Sequence, residues 1–267
     1  MRMLLGADPE VFVMQEGKYV SAYGLIPGNK LDPYPVTDGA VQVDGMALEF
    51  NIAPAPSGQI FLANIRSVMA QLYSMVPGYT VVSDPVATFG SEYIQAQPEE
   101  ATELGCDPDY NAWEGGAVNP KPDHNMPFRT AAGHVHIGWT ELGLGRANHL
   151  EMCIALVKEL DFYLGLPSLL FDTDTVRREM YGKAGAFRPK DYGVEYRVLS
   201  NAWLKHDDLV LWVFDACSQA LERCSRGVFL SEKYGDISEV INTSDVHSAL
   251  ALIEKESIPV PKGYTNV

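Results

Sequence analysis

Four short segments of this chain place two chemically active side chains at positions i and i+2, with apolar residues at the alternating positions. The segments are Asp8-Pro9-Glu10, Glu49-Phe50-Asn51, His134-Val135-His136 and Glu195-Tyr196-Arg197. On a β-strand, residues i and i+2 point to the same side of the sheet. Each segment therefore predicts a strand with one apolar face and one face of carboxylate, imidazole, amide or guanidinium groups. If these strands lie in one sheet, they form the floor of a charged cleft, and such a cleft predicts an active site.

The bulk composition is that of an acidic globular protein. Its 267 residues are 46% hydrophobic and 21% charged, which is ordinary for a folded domain with an ample core. Because the sequence shows no linker, repeat or low-complexity segment, we expect a single domain over residues 1–267. The net charge of −15 argues against broad nucleic-acid binding. We find neither a signal peptide nor an apolar run of ~20 residues, and we expect a cytoplasmic protein that does not associate with membranes.

Hydrophobic periodicity and turn signals predict a chain of both strands and helices. Strands are expected over 3–14, 18–25, 79–83 and 131–139, at Glu195, and as a hairpin over 40–52 around Asp44-Gly45. Helices are expected from Ser57 to about Val76, from Arg146 to Leu166, over about 207–225 and over about 244–256. Residues 95–129 and 172–188 are expected to form long ordered loops, which in compact domains tend to be functional.

The segment from His134 to His136, flanked by Gly133 and Gly138, is the strongest local signal for a binding site. Two imidazoles on one strand face can bind a metal ion together, or one can bind a metal ion and the other a phosphate. Flanking glycines let a ligand approach the backbone closely. The alternative is a pair of hydrogen-bonded surface histidines.

Glu49 interrupts a strand that otherwise has a buried pattern, with Leu48 and Phe50 as its neighbours. A carboxylate in such a place must be paired or bound to a metal ion to offset its desolvation. A structural salt bridge is therefore the alternative to a metal site. The same argument applies to Glu10, whereas Asp8 with Pro9 could simply form a turn.

Glu195 and Arg197 place an anion and a cation on one strand face. They either neutralise one another, or Glu195 holds a metal ion while Arg197 binds an anionic oxygen. The planar fork of arginine suits phosphate and carboxylate because it can contact two oxygens at once.

Several further cations in this acidic chain predict phosphate binding. The second loop carries Arg177, Arg178, Lys183 and Arg188, and its glycines could help to cradle phosphates, although a solvated basic loop is the alternative. Arg129, five residues before His134, is also a candidate for phosphate binding. In the first loop, the segment from Asp107 to Asn111 either binds substrate or forms an Asx-rich turn. Its neighbours Tyr110, Trp113 and Phe128 favour an ordered wall or lid.

The order of these motifs along the chain is similar to that of a known family. Gly6-Ala7-Asp8-Pro9-Glu10, Leu48-Glu49-Phe50-Asn51, Gly133 to Gly138, and Tyr181-Gly182-Lys183 to Arg197 follow one another between about residues 6 and 203. Together they resemble the phage carboxylate–amine (COOH–NH2) ligase type 2 family of the glutamine synthetase/glutamate–cysteine ligase superfamily. One difference is that glutamine synthetases usually have Glu-x-Glu where this chain has Asp8-Pro9-Glu10.

The resemblance implies an α+β fold with a curved, mostly antiparallel sheet, helices on its outer face and the site in its concavity. It implies ATP-dependent amide-bond formation through an acyl-phosphate. Mg²⁺ or Mn²⁺ would be held by Glu10, Glu49, Glu195 and His134 or His136, a donor set of hard ligands and imidazole that suits these ions. Arg197, Lys183 and Arg188 would contact phosphate or the acyl-phosphate, and Arg129 and His136 would help to bind the nucleotide.

Three other functions use the same residues. A phosphotransferase of the guanidino-kinase type would use the ATP-binding groups without releasing phosphate. A metal-dependent hydrolase built on His134 and His136 would need no ATP. A non-catalytic phage binding protein would tolerate the loss of the strand carboxylates. For a ligase, the partners are a small-molecule or peptide carboxylate and an amine, and the sequence leaves open the identity of both and whether the protein forms oligomers.

Overall fold

The computed structural model describes residues 3–102, 109–120, 126–139 and 148–264 of an α+β protein. The strands are β1 (Leu4–Ala7), β2 (Glu10–Gln15), β3 (Lys18–Val20), β4 (Tyr34–Val36), β5 (Gly39–Asp44), β6 (Ala47–Ile52), β7 (Thr80–Val82), β8 (Val86–Thr88), β9 (Tyr110–Asn111), β10 (Ala117–Val118), β11 (Phe128–Thr130), β12 (Val135–Gly138), β13 (Ala186–Lys190) and β14 (Gly193–Tyr196). The α-helices are α1 (Gly58–Met75), α2 (Ser91–Gln95), α3 (Glu99–Thr102), α4 (His149–Leu160), α5 (Leu166–Ser168), α6 (Val176–Met180), α7 (Asp207–Ser225), α8 (Leu230–Tyr234), α9 (Ser238–Asn242) and α10 (Val246–Glu256).

The strands form two larger sheets and one small strand pair, and neighbouring strands are antiparallel. Sheet one has the order β1–β12–β14–β13–β9–β10. Sheet two has the order β3–β2–β6–β5–β4, with β7 also pairing with β2, and β8 pairs with β11. In both larger sheets the apolar positions of the alternating pattern, such as Val11, Leu48, Ile137 and Val194, are fully buried. The antiparallel sheets and the α+β class agree with the sequence prediction.

The first predicted strand, over 3–14, is divided into β1 and β2 by Asp8 and Pro9. Proline lacks a backbone N–H for a ladder hydrogen bond, so the regular pairing is interrupted there. On either side, the N–H of Asp8 donates to the carbonyl of His134 at 3.3 Å, and that of Glu10 donates to the carbonyl of Ala132 at 2.9 Å. β1 thus belongs to sheet one and β2 to sheet two, and the two sheets meet at the Asp8–Pro9 junction.

Two long helices pack against the sheets, and a third packs against both of them. α1 contacts β5 and β6, α4 contacts β13 and β14, and α7 contacts both α1 and α4. The predicted helices over 57–76, 207–225 and 244–256 are confirmed with small differences at their ends. The hairpin of β5 and β6 is also confirmed, with Gly45 at its turn in a left-handed conformation (φ 57°) that glycine adopts readily.

The prediction that the helix from Arg146 would end at Leu166, before Pro167, is wrong. After α4 the chain continues as a π-helical turn over Asp161–Gly165 and then as α5, which contains Pro167. In the π-turn the N–H of Leu166 donates to the carbonyl of Asp161, five residues earlier. Because the α-helical bonding is already replaced there, the proline does not end the helical path. The predicted start, Arg146, lies outside the described residues.

Four other boundary predictions need correction. The strand expected over 18–25 ends at Val20, and the strand expected over 131–139 comprises only Val135–Gly138. The loop expected over 172–188 contains α6 and the start of β13, and the loop expected over 95–129 contains α3 and β9 to β11. These elements are short, and the strands β9, β11 and β13 among them pair with strands that are distant in the chain. Among the described residues, no helix combines the length and the apolar character that a membrane crossing requires.

Candidate active site

The register of sheet one arranges the polar side chains of four strands in three rows on one face. Residues directly opposite each other in antiparallel strands point to the same side, and Gly6 pairs with His136, His136 with Glu195, and Glu195 with Arg188. The same register places Leu4, Gly138, Gly193 and Lys190 in the next row, and its continuation places Asp8, His134 and Arg197 in the preceding row. The predicted common face of the paired residues is therefore confirmed for this sheet.

Asp8, His134 and Glu195 form a cluster whose ligand atoms all lie within 4.8 Å of one another. The Nδ1 atom of His134 is 3.8 Å from Asp8 Oδ1 and 3.6 Å from Glu195 Oε1. His134 is buried, with 6% of its surface exposed, and Glu195 with 1%. The structure thus groups two of the sequence-predicted metal-binding residues, His134 and Glu195, with Asp8, whose role the sequence left open.

The protonation state of His134 suits a metal-binding role. Burial lowers the pKa of His134 well below its usual value, and the positive charges of Arg197 and Arg177 lower it further. A neutral imidazole can offer a lone pair to a cation. In addition, His134 Nε2 is buried and has no hydrogen-bond partner among the described residues.

Glu10 and Glu49 form a second acidic group, on sheet two. They face each other directly in the β2–β6 ladder, and Asp44 lies at the edge of the same cleft. Burial raises the pKa of Glu10 to about 7, with a further contribution from Asp44. Burial, followed by the charges of Asp8 and Glu10, raises the pKa of Glu49 well above its usual value.

The salt bridge considered as an alternative for Glu49 is absent from the described part of the chain. Glu49 Oε2 instead accepts a hydrogen bond of 2.7 Å from Gln42 Nε2, and Glu10 Oε2 accepts one of 2.8 Å from the N–H of Ala132. Lys30 is near enough to lower the pKa of Glu10, but its ion pair, at 2.9 Å, is with Asp44. The pair Glu10–Glu49 therefore carries excess negative charge when both groups are ionised.

Glu195 contacts three cations, so the neutralising pair that was the alternative for Glu195 and Arg197 does form. Arg197 Nη1 donates to Glu195 Oε1. Lys190 Nζ lies 2.8 Å from Glu195 Oε2, and Arg188 Nη1 lies 3.7 Å from Oε1. Lys190 was missed in the sequence, although its position, two residues after Arg188 on one strand, repeats the i, i+2 pattern.

Arg197 is held from several sides. Its Nε atom is 3.3 Å from Asp109 Oδ2, and Nη1 is 3.3 Å from His134 Nδ1. The ring of Tyr181 lies 5.4 Å from its guanidinium carbon, in a cation–π arrangement. Asp109 is thus at the site, as one reading of the first loop predicted, while Asp107 lies outside the described residues.

The four cations of the second predicted loop do not act together. Arg177 is buried and donates to the carbonyl groups of Val198 and Arg197, and Arg178 is buried beside Asp172 at 3.2 Å. Lys183 is exposed and is not among the residues that line the cleft. Of the four, only Arg188 lines it. The two arginines were mistaken for ligand-binding residues because their charge does not reveal that α6 turns them into the protein.

The cleft lies where the two sheets meet, and residues from both sheets and from the loops line it. Arg129 lines it and donates through Nη1 to the carbonyl groups of Met126 and Phe128 at 3.1 and 2.9 Å. The aromatic wall predicted for the first loop is present in part, because Phe128 lines the cleft. Lining residues from the sheets include Asp8, Glu10, Asp44, Glu49, His134 and Arg197.

His136 faces a second cavity rather than the cleft, and Asp8 lines both. The Nε2 atom of His136 is 2.9 Å from Asp8 Oδ1, and the Nδ1 atom of His136 is 2.5 Å from the hydroxyl of Tyr192. Burial lowers the pKa of His136, but the charge of Asp8, its hydrogen bond to the imidazole and the charge of Glu195 together raise it by more, and the net shift is upward. His134 and His136 thus line different cavities, although both are on one strand face.

Behind the sheet, the buried Asp161 connects three segments that carry site residues. Its Oδ1 atom accepts from the hydroxyl of Tyr196 at 2.7 Å, and its Oδ2 atom accepts from Trp113 Nε1 at 2.6 Å. Burial raises the pKa of Asp161 to about 7, against the effect of these two donors and of the N–H of Gly185. Tyr196 lies between Glu195 and Arg197, so this carboxyl group helps to fix the strand that bears them.

Comparison with known proteins supports the family to which the motifs point. Residues 122–226 match the family model described as "Phage phiEco32-like COOH.NH2 ligase-type 2". This match supports that family. The matched segment is less than half of the chain; it includes His134, His136, Glu195 and Arg197, but neither Asp8 nor the Glu10–Glu49 pair. No curated protein matches the chain.

Several solved structures are similar to the chain, and one is a bifunctional glutathione synthetase from Pasteurella multocida. The similarity covers 99% of this chain and 45% of that chain, at 12% sequence identity and a TM-score of 0.41. The protein therefore spans less than half the length of that synthetase. At this TM-score the likeness carries no argument about function.

Proposed function

We propose that the protein is an ATP-dependent carboxylate–amine ligase that forms an amide bond through an acyl-phosphate. The observation that carries this proposal is the arrangement at the sheet junction. Carboxylates and a neutral imidazole lie beside the guanidinium groups of Arg188 and Arg197. Such a site can bind both a divalent cation and the phosphates that accompany it. The family match over residues 122–226 supports the same reaction class.

The residues present fit a divalent cation. The test is the Nε2 atom of His134, which is buried and has no hydrogen-bond partner among the described residues, whereas buried polar atoms normally have partners. Asp8, His134 and Glu195 would hold one Mg²⁺ or Mn²⁺ ion, and Glu10 with Glu49 would hold a second. A bound cation would lower the energy of negative charge on the transferring phosphoryl group.

The cations of the protein would bind the phosphates and the acyl group. Arg197 and Arg188 are the proposed catalytic contacts, and Arg129 would hold the nucleotide from the opposite wall. Lys183 belongs to the proposal as a phosphate contact, although its side chain is exposed outside the cleft lining. Lys190 is also absent from the cleft lining, but its contact with Glu195 places it beside the charged site residues, so we prefer it for that role. His136 would act on the substrate side, because it faces the second cavity.

In the proposed reaction, an oxygen of the acid substrate forms a bond to the γ-phosphorus of ATP, and ADP leaves with the electron pair of the broken bond. The amine nitrogen then forms a bond to the acyl carbon, phosphate leaves, and the nitrogen loses a proton. Cleft walls such as Tyr181 and Phe128 would shield the acyl-phosphate from water.

A glutamine synthetase-like catalytic fold over the whole chain is part of this proposal.

The experiment that tests the proposal is a screen of acid–amine pairs for phosphate release with Mg²⁺ and ATP. We expect at least one pair to release phosphate and to form an amide in equal amounts, and a chelator to abolish both. Glu49→Gln should be inactive, whereas the matched exposed variant Glu92→Gln should keep full activity. Product formation that is independent of ATP would instead indicate a hydrolase. Phosphate transferred to a substrate and retained there would indicate a kinase.

A further inference from the structure

The second cavity has a different chemical character from the cleft beside it. It is lined by Leu4, Gly6, Ala7, Asp8, Asn51, Ile52, Pro54, His136, Gly138 and Tyr192. Most of this lining is apolar, and within the described ranges no lysine or arginine contributes to it. The cleft, by contrast, is lined by Lys30, Arg129, Arg188 and Arg197. Asp8 lies between the two, so a ligand in the cavity would reach the cleft at this carboxylate.

Two glycines create the space of the cavity. Gly6 and Gly138 stand on the same sheet face as His136, at the positions where the rows of charged side chains end. A Cβ atom added to Gly6 would meet only the Cβ of His136, at 3.6 Å, and one added to Gly138 would meet no atom closer than the carbonyl oxygen of Leu4, at 3.5 Å. Side chains there would be sterically acceptable to the backbone, and they would fill the cavity.

Two of the polar residues that line the cavity, Asp8 and Asn51, connect it to the cleft. Asn51 belongs to one of the four i, i+2 pairs, and its partner Glu49 lines the cleft while Asn51 lines the cavity. Asp8 offers a carboxylate, whose Oδ1 atom lies 2.9 Å from His136 Nε2, and Asn51 offers an amide oxygen, while the hydroxyl of Tyr192 contacts Nδ1 of His136. Asp8 and Asn51 therefore present oxygen acceptors to a ligand, and most of the remaining lining is apolar.

We propose that this cavity binds the amine substrate, a primary amine with a short apolar body whose nitrogen points toward Asp8 and Asn51. An ammonium group has three donors and no acceptor, which matches a carboxylate and an amide oxygen. An anionic acid substrate is better matched by the arginines of the cleft, on the other side of Asp8. The assignment of this ligand as the attacking nucleophile rests on the proposed ligase function, whereas its binding does not.

The binding test uses n-pentylamine as the probe and n-pentanoate as its matched anion. We would follow methyl resonances of Leu4 and Ile52, which line the cavity, in the full-length protein by NMR. The amine is expected to shift both resonances in a saturable way, and pentanoate at equal concentration is expected to leave them unchanged. Equal shifts with the two probes, or no shift with the amine, would overturn the proposal.

Variants that fill the cavity add a second, independent test. Gly6→Val should weaken binding of n-pentylamine at least about tenfold, and Gly138→Ala narrows the cavity from the neighbouring strand and should weaken it as well. Gly58→Ala is the matched control, because the added Cβ would meet only Leu211 and Phe214 at ordinary contact distances on α1, away from the cavity. If Gly6→Val does not fold, Gly138→Ala still decides the matter. Unchanged affinity in a folded variant would exclude this cavity as the site.

Failure of this inference can be distinguished from failure of the ligase proposal. Mg²⁺-ATP binding, measured as a metal-dependent rise in melting temperature, should be the same in the wild type, Gly6→Val and Gly58→Ala. Retained ATP binding without any amine site contradicts only the inference. An amine site in a protein that neither binds ATP nor releases phosphate contradicts only the proposed function. With active enzyme, Gly6→Val should raise the KM for the amine and leave the KM for ATP unchanged.

Discussion

Glu10 and Glu49 lie directly opposite one another on β2 and β6, and the described part of the chain gives neither of them a salt-bridge partner. Like charges at paired positions destabilise a sheet. A protein keeps such a pair most readily where a cation is to bind, and the pair faces the cleft. We therefore expect the removal of one of these carboxylates to change both the stability of the protein and its metal binding.

Glu49→Gln should stabilise the metal-free protein, by about 1 kcal/mol, because it removes like-charge repulsion and the desolvation of a charge. The pKa of Glu49 is raised in the folded state, so its contribution to stability is full below the pKa of the unfolded chain and is lost as pH rises through the folded pKa. The stabilising effect should therefore be larger at pH 8 than at pH 5. Urea unfolding in the presence of a chelator measures it.

The same variant should lose metal-dependent stabilisation by ATP and lose turnover. Glu92→Gln, on the exposed α2 helix, is the control and should behave as the wild type in both assays. A Glu49→Gln protein that is destabilised by several kcal/mol and yet active per folded molecule would show that Glu49 has a structural role.

Arg197→Lys should reduce turnover more than it reduces metal binding. The lysine keeps the positive charge but loses the forked geometry, which lets Arg197 contact Glu195 and Asp109 at the same time. Loss of one well-placed donor to a transition state typically costs about 10²–10³-fold in kcat. Steady-state kinetics would be compared with Mn²⁺ affinity from electron paramagnetic resonance. Arg226→Lys changes an exposed arginine and should change neither quantity.

Lys190→Ala should impair ATP-dependent turnover more than Lys183→Ala does. Neither lysine lines the cleft, but Lys190 contacts Glu195, whereas Lys183 is exposed. The reverse order of effects would mean that the 181–185 segment closes onto the nucleotide when it binds. Lys262→Ala, at another exposed lysine, serves as the control. The measurement is the KM for ATP and kcat at saturating acid and amine.

Asp161→Asn should change how stability depends on pH. Because burial raises the folded-state pKa of Asp161 from 3.8 to about 7, the contribution of this group is full below the unfolded pKa and is lost as pH rises toward 7. The loss corresponds to at most one proton, or about 1.4 kcal/mol per pH unit. Relative to the wild type, the variant should therefore gain stability as pH rises from 4 to 7. A constant difference over that range would show that Asp161 keeps an ordinary pKa.

The sequence determined those features that depend on local spacing. Alternation around Asp8, Glu49, His134 and Glu195 predicted strands with one polar face, because side chains on a strand alternate in direction wherever the strand pairs. Helical periodicity likewise predicted α1 and α7, and glycine and proline predicted most of the turns. The motifs were also sufficient to indicate the family that the match over residues 122–226 supports.

Only the tertiary structure decided which of these groups meet. His134 and Glu195 are neighbours because β12 pairs with β14 in one register, and a shift by one residue would turn every side chain of a strand to the other face. The same long-range pairing brought in Lys190, turned Arg177 and Arg178 inward, and left His136 in a cavity apart from His134. Residue type alone does not reveal such contacts, since the free energy that fixes the register comes from the burial of the opposite, apolar face, which packs against α1 and α4.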